Sequence, residues 1–282
     1  MLTDEQVEQF NRDGFTVHPN FFSPDELSLY HEKMDKISAG NTLANHDKEK
    51  LEMEPNQSPE GTRVRRIYEP CDYYPDFKAL SESDKLLDCV EQFIGPNIIF
   101  HYSKINMKPP EIGSVVEWHQ DLSYYPLTNR DSLAILLYLD DADTTNGCLK
   151  VIPGRQNDPL MCHSRNGFFC GMVTEEVDDS GAVTVEGKAG AAIFMHCMVP
   201  HASEPNRSEH SRKTLILSYR AADAFPIFDG KMTHLNERGT RIVRGERVNT
   251  ARFTMTEFPI PSYEKNIASL YELQEGSRQE SS

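Results

Sequence analysis

From residue 97 the sequence becomes a series of short apolar runs separated by turn-forming residues. The runs lie at residues 98–102, 114–118, 133–139, 148–152, 191–195 and 214–219. Turn clusters such as Lys108-Pro109-Pro110 and Pro153-Gly154 separate them. Apolar runs of strand length, bounded by glycine and proline, predict a β-sandwich or β-barrel.

The first part of the chain has a different pattern, which predicts helices. Thr3 with Gln6, and Ser23 with Glu26, fit the capping box that begins a helix. Apolar residues at helical spacing predict another helix over 83–94. Residues 39–62 between these segments are polar and contain glycine and proline, which predicts a long loop and a candidate lid.

The whole chain, 1–282, is predicted to form one domain. Its parts are a helical N-terminal part (1–94), a β core (95–222) and a C-terminal extension (223–282). A polar insertion at 156–182 interrupts the core. The polar tail from about residue 268 is expected to be frayed.

Charge and composition exclude several classes of partner. The formal net charge is −15, which disfavours binding to nucleic acid or to an anionic membrane surface. No apolar run is long enough for a transmembrane helix, and the first residues lack a secretory signal. Six cysteines without a CxxC pair fit free thiols and a cytoplasmic location. The sequence makes no prediction about the oligomeric state.

One short segment carries residues typical of a metal site. His119 and Asp121 lie where a predicted strand gives way to a loop, and residues two apart in a strand share a face. Two histidines and one carboxylate on one side of an ion are typical of non-haem Fe(II) oxygenases. His201 is the preferred third ligand and His196 the alternative. The histidine-x-aspartate pair alone also fits a histidine near a turn and an aspartate that caps a loop.

A second group of residues fits an organic co-substrate. Arg212 opens a predicted strand and could point into the barrel beside the metal. Its planar fork suits the distal carboxylate of 2-oxoglutarate, and Ser203 could add a hydroxyl donor. Arg212 also fits a surface position, because Arg207 and Lys213 lie close by in the sequence.

Several motifs together resemble those of one known family. The chain resembles the phytanoyl-CoA dioxygenase family of 2-oxoglutarate oxygenases over roughly residues 5 to 222, with order and spacing kept. The matching segments are Asp13–Val17, Gly95–Ile98, Lys108–Pro110, His119–Pro126, Asn146–Gly154 and His201–Ser203 with Asn206 and Arg212.

The resemblance implies a fold, cofactors and site residues. The fold is a mainly β domain with flanking helices, built on a double-stranded β-helix (jelly-roll, cupin-like) core. The cofactors are Fe(II), 2-oxoglutarate as co-substrate, and O₂. His119, Asp121 and His201 resemble the metal ligands and catalytic residues of the family. Arg212 and Ser203 resemble the pair that holds the far carboxylate of 2-oxoglutarate, and Arg66 aligns with a co-substrate contact.

The expected function is therefore an Fe(II)- and 2-oxoglutarate-dependent dioxygenase that hydroxylates a small organic molecule and releases succinate and CO₂. Asp121 favours hydroxylation over halogenation, whereas desaturation, epimerisation and cyclisation stay open. Two other classes also stay open. One is a cupin-type metal-dependent hydrolase or isomerase that does not use 2-oxoglutarate, and the other is a non-catalytic sensor or scaffold.

Candidate substrate residues are the aromatic side chains around the metal motif. Trp118, Tyr124 and Tyr125 could line the substrate pocket, and core packing is their alternative role. The arginines at 63, 65 and 66 could meet an anionic substrate or form a solvated face. The sequence does not name the substrate.

Overall fold

Helices flank two antiparallel sheets in the computed structural model, which describes residues 1–111, 115–227, 239–262 and 270–279. The α-helices of these residues are α1 (Asp4–Asp13), α2 (Pro24–Ser38), α3 (Pro70–Tyr73), α4 (Pro75–Ser81), α5 (Asp84–Ile94) and α6 (Leu270–Gln279). The strands are β1 (Phe15–His18), β2 (Leu51–Met53), β3 (Val64–Tyr68), β4 (Ile98–Lys108), β5 (Val116–His119), β6 (Ser132–Tyr138), β7 (Leu149–Val151), β8 (Ser164–Arg165), β9 (Phe168–Phe169), β10 (Val183–Val185), β11 (Ala192–His196), β12 (His201–Ser203), β13 (Arg212–Ala221) and β14 (Arg241–Arg244).

Local sequence signals set the ends of the first two long helices. The Thr3 hydroxyl accepts a hydrogen bond from the Gln6 amide, and the Gln6 side chain accepts one from the Thr3 amide. Ser23 and Glu26 make the same reciprocal pair at the start of α2. Each capping box satisfies amides that a helix terminus leaves without a partner, which confirms both predicted helix starts.

The larger sheet, called here the major sheet, has the strand order β1-β11-β6-β13-β4-β3-β2, and β14 also pairs with β4. Its two longest strands, β4 and β13, are antiparallel neighbours. Arg212 lies opposite Lys108 at one end of this pair and Ala221 opposite Ile98 at the other. A bulge at Ser218/Tyr219 shifts the register between them.

The smaller sheet, called here the minor sheet, has the order β10-β7-β12-β5. Its central strand β12 pairs antiparallel with both neighbours, so that His201 lies opposite His119 on one side and Val151 on the other. This pairing brings two parts of the chain that are distant in sequence to one position.

Two apolar cores hold the layers together. One lies between the N-terminal helices and the outer face of the major sheet, and buries Met34, Phe77 and Leu86 against Phe194 and Leu217. The other lies between the two sheets and contains Ala134, Leu136, Tyr138, Leu149, Val151, Ile193 and Met195. Removal of this apolar surface from water is the main stabilising contribution to the packing of the sheets. The predicted mainly β jelly-roll architecture is confirmed.

Three predictions about loops need correction. The segment 39–62 is not wholly loop, because β2 lies within it and pairs with β3. The insertion 156–182 contains the β8–β9 hairpin. The tail expected to be frayed includes α6, where Tyr271 and Gln274 are buried. The tail packs because apolar and amide groups on one helical face meet the sheets, a contact that polar composition did not reveal. The division into one domain stays a prediction.

The structure also bears on membrane-spanning helices and on the state of the cysteines. No helix among the described residues is both long and apolar enough to cross a membrane. All six cysteines are free thiols, and only Cys162 is exposed.

Candidate active site

Three side chains converge where the minor sheet ends. His119 is the last residue of β5, Asp121 opens the short 3-10 helix that follows, and His201 is the first residue of β12. Asp121 Oδ1 lies 3.9 Å from His119 Nε2 and 3.7 Å from His201 Nε2. The two imidazole centroids are 4.0 Å apart. One ligand atom from each residue lies within 4.8 Å of the others, a cluster able to hold a metal ion.

Extended backbone carries the chain from His119 to Asp121. Strand β5 ends at His119, but Gln120 keeps extended angles (φ −119°, ψ 129°) before the 3-10 helix begins at Asp121. The two side chains therefore lie on one side of the chain, as expected for residues two apart in extended backbone. The turn that follows includes hydrogen bonds from the Leu122 amide to the Cys197 carbonyl, 3.1 Å away, and from the Tyr124 amide to the Asp121 carbonyl.

Hydrogen bonds orient both imidazoles. His119 Nδ1 donates to the Glu117 carbonyl at 2.8 Å, and His201 Nδ1 donates to the Val199 carbonyl at 3.0 Å. Burial lowers the pKa of both histidines, and the charge of a protonated His201 would lower that of His119 further. The lowered pKa values favour the neutral rings, and with the proton on Nδ1 each ring keeps the lone pair of Nε2 for a metal ion. Neutral, oriented imidazoles beside a carboxylate are a donor set that suits Fe(II).

Residues outside the cluster hold the segment between the ligands. The Gln120 amide donates to His163 Nε2 at 3.0 Å, and the Gln120 side chain donates to the Met198 carbonyl at 2.7 Å. His163 Nδ1 in turn donates to the Met161 carbonyl. No motif in the sequence marks His163 as a site residue, because its role depends on a contact between distant segments of the chain.

Arg212 and Ser203 lie on the same cavity as the three converging residues. Arg212 is 5% exposed, and its Nε has no hydrogen-bond partner among the described residues. Ser203 ends β12, and Thr214 lies two residues beyond Arg212 on the same face of β13. The Thr214 hydroxyl is also buried without a partner within the described chain. A buried guanidinium beside hydroxyls fits a carboxylate.

Lys108 belongs to the same end of the cavity. It lies opposite Arg212 in the sheet and is 1% exposed. Its ammonium donates to the carbonyls of Ser203 and Glu204. Burial, followed by the neighbouring charge of Arg212, holds the pKa of Lys108 well below its usual range. Lys108 therefore anchors the end of β12 to the major sheet and leaves Arg212 to face the cavity.

Arg66 lies away from Arg212. It stands opposite Asn106 on β4, and its Nε donates to Asn106 Oδ1 at 3.0 Å. The guanidinium also lies 4.9 Å from the ring centre of Tyr271 and 4.0 Å from a Glu52 oxygen. Of the three arginines considered from sequence, those at 65 and 66 are buried and only the one at 63 is exposed.

The three aromatic candidates for substrate contact do not line the cavity that the converging residues share. Trp118 lies next to Lys150, whose ammonium is 5.5 Å from the indole centre. Tyr124 packs edge-on against His119, with centroids 5.6 Å apart, and its hydroxyl donates to the Gly171 carbonyl. Tyr125 packs against His101, with centroids 4.6 Å apart. All three side chains have packing contacts, and their role as substrate residues stays a prediction.

Two cavity residues were missed. Lys104 and Asn106 lie on β4 and face the cavity beside Asp121. A signal was present in the sequence, since Tyr102, Lys104, Asn106 and Lys108 recur at every second position and therefore share one face of the strand. Burial, with a smaller contribution from Arg66, lowers the pKa of Lys104 to about 8.

His196, the alternative third ligand, is not part of the converging group. It ends β11, and its Nδ1 accepts a hydrogen bond from the Met198 amide at 3.1 Å. Burial lowers its pKa to about 4, which keeps the ring neutral and able to accept that bond. His196 thus holds the turn that leads to His201.

Comparison with known families agrees with this geometry. The profile of the phytanoyl-CoA dioxygenase family matches residues 10–214. The chain belongs to this family. A relative named a probable alpha-ketoglutarate-dependent hypophosphite dioxygenase, from Stutzerimonas stutzeri, is 32% identical over 80% of this chain and 81% of its own. A methylphosphonate hydroxylase from Gimesia maris is 30% identical over 78% of this chain and 81% of its own.

Solved structures agree with the family assignment. EctD from S. alaskensis with bound Fe has a TM-score of 0.73 and 26% identity to this chain, and covers 88% of each. The family member described here is therefore a non-haem Fe(II)- and 2-oxoglutarate-dependent dioxygenase with a jelly-roll core. Its cofactors are iron, 2-oxoglutarate and O₂, and its substrate is a small molecule.

Proposed function

We propose that His119, Asp121 and His201 bind Fe(II), and that Arg212 with Ser203 binds the distal carboxylate of 2-oxoglutarate. The observation that supports both roles is a single cavity with opposed walls. One wall presents three metal-binding side chains, and the other presents a buried guanidinium whose Nε has no partner among the described residues. A co-substrate that joins the two walls satisfies both groups.

The iron, together with 2-oxoglutarate and O₂, supplies the oxidising chemistry when bound and yields succinate and CO₂. The chain's own residues bind, orient and exclude water. The Glu117 and Val199 carbonyls hold each imidazole with Nε2 toward the metal position. The apolar side chains around this position keep water from the reacting atoms, and they are Ala134, Leu136, Leu149, Met195 and Ile216.

We further propose hydroxylation as the outcome. The methylphosphonate hydroxylase among the relatives supports this outcome, and so does the intact carboxylate at Asp121. Membership of an oxygenase family favours this function over a cupin-type hydrolase or isomerase and over a non-catalytic sensor. The relatives are named for different small substrates, and their names therefore do not give the substrate of this chain.

We also propose that the enzyme acts in the cytoplasm without nucleic acid or a membrane as partner. The net charge of −15 supports the absence of polyanionic partners. The free thiols of all six cysteines support a reducing compartment. Co-sedimentation with DNA or with anionic vesicles at low salt would contradict this proposal.

The test of the proposed function separates the two walls. Anaerobic Fe(II) and 2-oxoglutarate are added to the purified chain, and the visible absorption of their chelate is titrated. Arg212→Gln is expected to weaken 2-oxoglutarate binding roughly tenfold to a hundredfold, because it removes a charge-assisted bond. Lys213→Gln, which changes the adjacent residue paired with Asp140, is the matched control. An unchanged affinity in Arg212→Gln would reject the co-substrate role.

A further inference from the structure

A second cationic group lies on the major sheet, apart from Arg212. Lys104 and Asn106 lie on β4, and the neighbouring strand β3 places Tyr68 opposite Lys104 and Arg66 opposite Asn106. Residues directly opposite in a sheet point to the same face, and diagonal neighbours are within reach of long side chains. Lys104 and Arg66 are therefore diagonal neighbours on the face that looks toward the metal position.

These two cations are only partly balanced by acids, since Asp121 and Glu69 attract Lys104 from beyond salt-bridge distance and Glu52 lies at the limit of that distance from Arg66. No carboxylate oxygen among the described residues lies within 4.0 Å of Lys104 Nζ, and the ammonium lies 5.4 Å from the ring centre of Tyr102. Arg66 Nη2 is buried and has no partner in the described part of the chain. The nearest acid, Glu52, is 4.0 Å from Arg66 and already accepts from the Tyr68 hydroxyl at 2.8 Å. A half-buried ammonium beside a buried guanidinium is unfavourable unless an anion joins them.

Within the second group, Lys104 lies farthest along β4 from Arg212, whereas Asn106 pairs with Thr214 and lies nearer to it. Arg212 lies opposite Lys108, and Lys104 lies four positions earlier on the same strand. At the rise of a β-strand, this separation is about 13 Å. The converging ligand residues line the same cavity. One distal carboxylate of 2-oxoglutarate can occupy only the Arg212 end, which leaves the Lys104 end for the other reactant.

A packed wall encloses the second group. Tyr271 of α6 is 3% exposed and stacks over Arg66, and also over Arg65 at 4.2 Å. Gln274 fixes α6 in place, since it accepts from the Glu117 amide at 3.1 Å and donates to the Gly171 carbonyl. Exclusion of water by this helix strengthens the attraction between the cations and an anion.

We propose that Lys104, Arg66 and Asn106 form the substrate subsite, and that it binds an anionic oxyacid group, either a phosphonate or a carboxylate. The inference rests on the proposed function, since the second reactant must lie beside the iron. Lys104 supplies a point charge, Arg66 a planar donor pair and Asn106 an amide, which together match an oxyanion with several acceptor oxygens. The bound group places the rest of the substrate toward Asp121 and the two histidines.

The experiment measures binding of three probes to the full chain loaded anaerobically with Fe(II) and 2-oxoglutarate. The probes are methylphosphonate, propionate and the neutral propionamide, and calorimetry gives their affinities. At least one anion is expected to bind and propionamide is not. The anion that binds identifies the oxyacid. Lys104→Met is expected to weaken that anion about tenfold or more, while the affinity for 2-oxoglutarate changes less than twofold.

The variants include matched controls. Lys104→Arg keeps the charge and is expected to retain binding within a few fold, which separates loss of charge from misfolding. Lys150→Met removes a lysine that lies over Trp118, away from the cavity, and is expected to bind the anion like the wild type. The melting temperature of each variant is measured in parallel.

Three results would overturn the inference. They are equal binding of the anion to wild type and Lys104→Met, equal binding of propionamide and the anions, and binding of neither anion. A wild-type chain that binds no 2-oxoglutarate overturns the proposed function itself. A chain that binds 2-oxoglutarate but neither anion overturns the substrate subsite alone.

Discussion

The two walls of the cavity are built in different ways. The metal-binding wall consists of very short strands, with 4 residues in β5 and 3 in β12. The cationic wall consists of long strands, with 11 residues in β4 and 10 in β13. The long strands hold Lys104 and Arg212 through an extended register. The short strands depend on ties from elsewhere, such as those of Gln120 to His163 and Met198.

Because the two walls are built differently, metal binding and anion binding should be separable by mutation. Contacts made by loops and turns control the metal wall, because a three-residue strand has few backbone bonds of its own. Sheet register controls the cationic wall, because ten residue pairings between β4 and β13, interrupted by one bulge, resist local change. Substitutions in the loops should therefore alter metal affinity more than anion affinity.

Removal of a proposed ligand should separate the walls most clearly. Asp121→Ala leaves two histidines without the carboxylate, and turnover is expected to fall on the order of 10³-fold, which corresponds to about 4 kcal/mol. Metal content after dialysis against Fe(II) under argon measures the cause. Asp179→Ala, an exposed acid in the insertion, is the control. Full metal occupancy in Asp121→Ala would contradict the proposed ligand set.

A substitution where the two walls meet should destabilise the junction that holds them together. Gly147 has φ +76°, and a Cβ there would lie 2.1 Å from the Glu204 carbonyl oxygen and 3.3 Å from Lys108 Nζ. Gly147→Ala is expected to lower the free energy of unfolding by about 3 kcal/mol, because backbone must shift in addition to the φ penalty. Chemical denaturation measures the loss.

Gly167→Ala is the matched control for the backbone term. Gly167 also has positive φ, +84°, but a Cβ there meets no atom within 4 Å. Its cost should be only the φ penalty of about 1 kcal/mol. Equal losses in the two variants would show that the contact between Gly147 and Glu204 does not constrain the junction of the walls.

A substitution in the ties should affect the metal wall alone. Gln120 donates to the Met198 carbonyl and accepts from the Met161 amide at 2.8 Å. Gln120→Leu is expected to weaken Fe(II) binding roughly 30-fold, or about 2 kcal/mol, because the segment between the ligands loses its orientation. The affinity for the anionic probe at Lys104 serves as the internal reference. A parallel loss of both affinities would break the comparison between the walls.

The smallest expected effect is on the pH dependence of the free energy of unfolding. Burial lowers the pKa of His163 to about 4, below its unfolded value, so the unfolded chain binds more protons between pH 6.5 and 4. The contribution of neutral His163 to the free energy of unfolding is therefore fully present above pH 6.5, and it is lost as the pH falls toward 4. His163→Gln should reduce the loss of unfolding free energy between pH 6 and 5 by about 1 kcal/mol.

Denaturation curves at the two pH values measure this acid effect. The exposed His210 provides His210→Gln, a control for the loss of an imidazole elsewhere in the chain. The same dependence in wild type and His163→Gln would remove His163 from the ties of the metal wall.

Local patterns determined much of the fold. The capping boxes at Thr3 and Ser23, and the apolar runs that became β6, β11 and β13, are each recognised within a few residues. Their signals depend on backbone geometry and on burial of one face, which neighbouring residues specify. The candidate metal residues could also be found from the sequence, because His119 and Asp121 lie two positions apart and His201 follows a family pattern.

Contacts between distant segments decided the rest. The sequence grouped Arg66 with Arg212 as co-substrate residues, and only the sheet register shows that Arg66 pairs with Asn106 and Arg212 with Lys108. The co-substrate role of Arg66 stays a prediction. The tail gave no signal of its contacts with Glu117 and Gly171, which depend on α6 reaching the site. By itself, the sequence determined which residues can form strands, caps and metal ligands, because these properties are local. Only the tertiary structure decided which cations face the same cavity, because strand register depends on pairing between segments that are far apart in the chain.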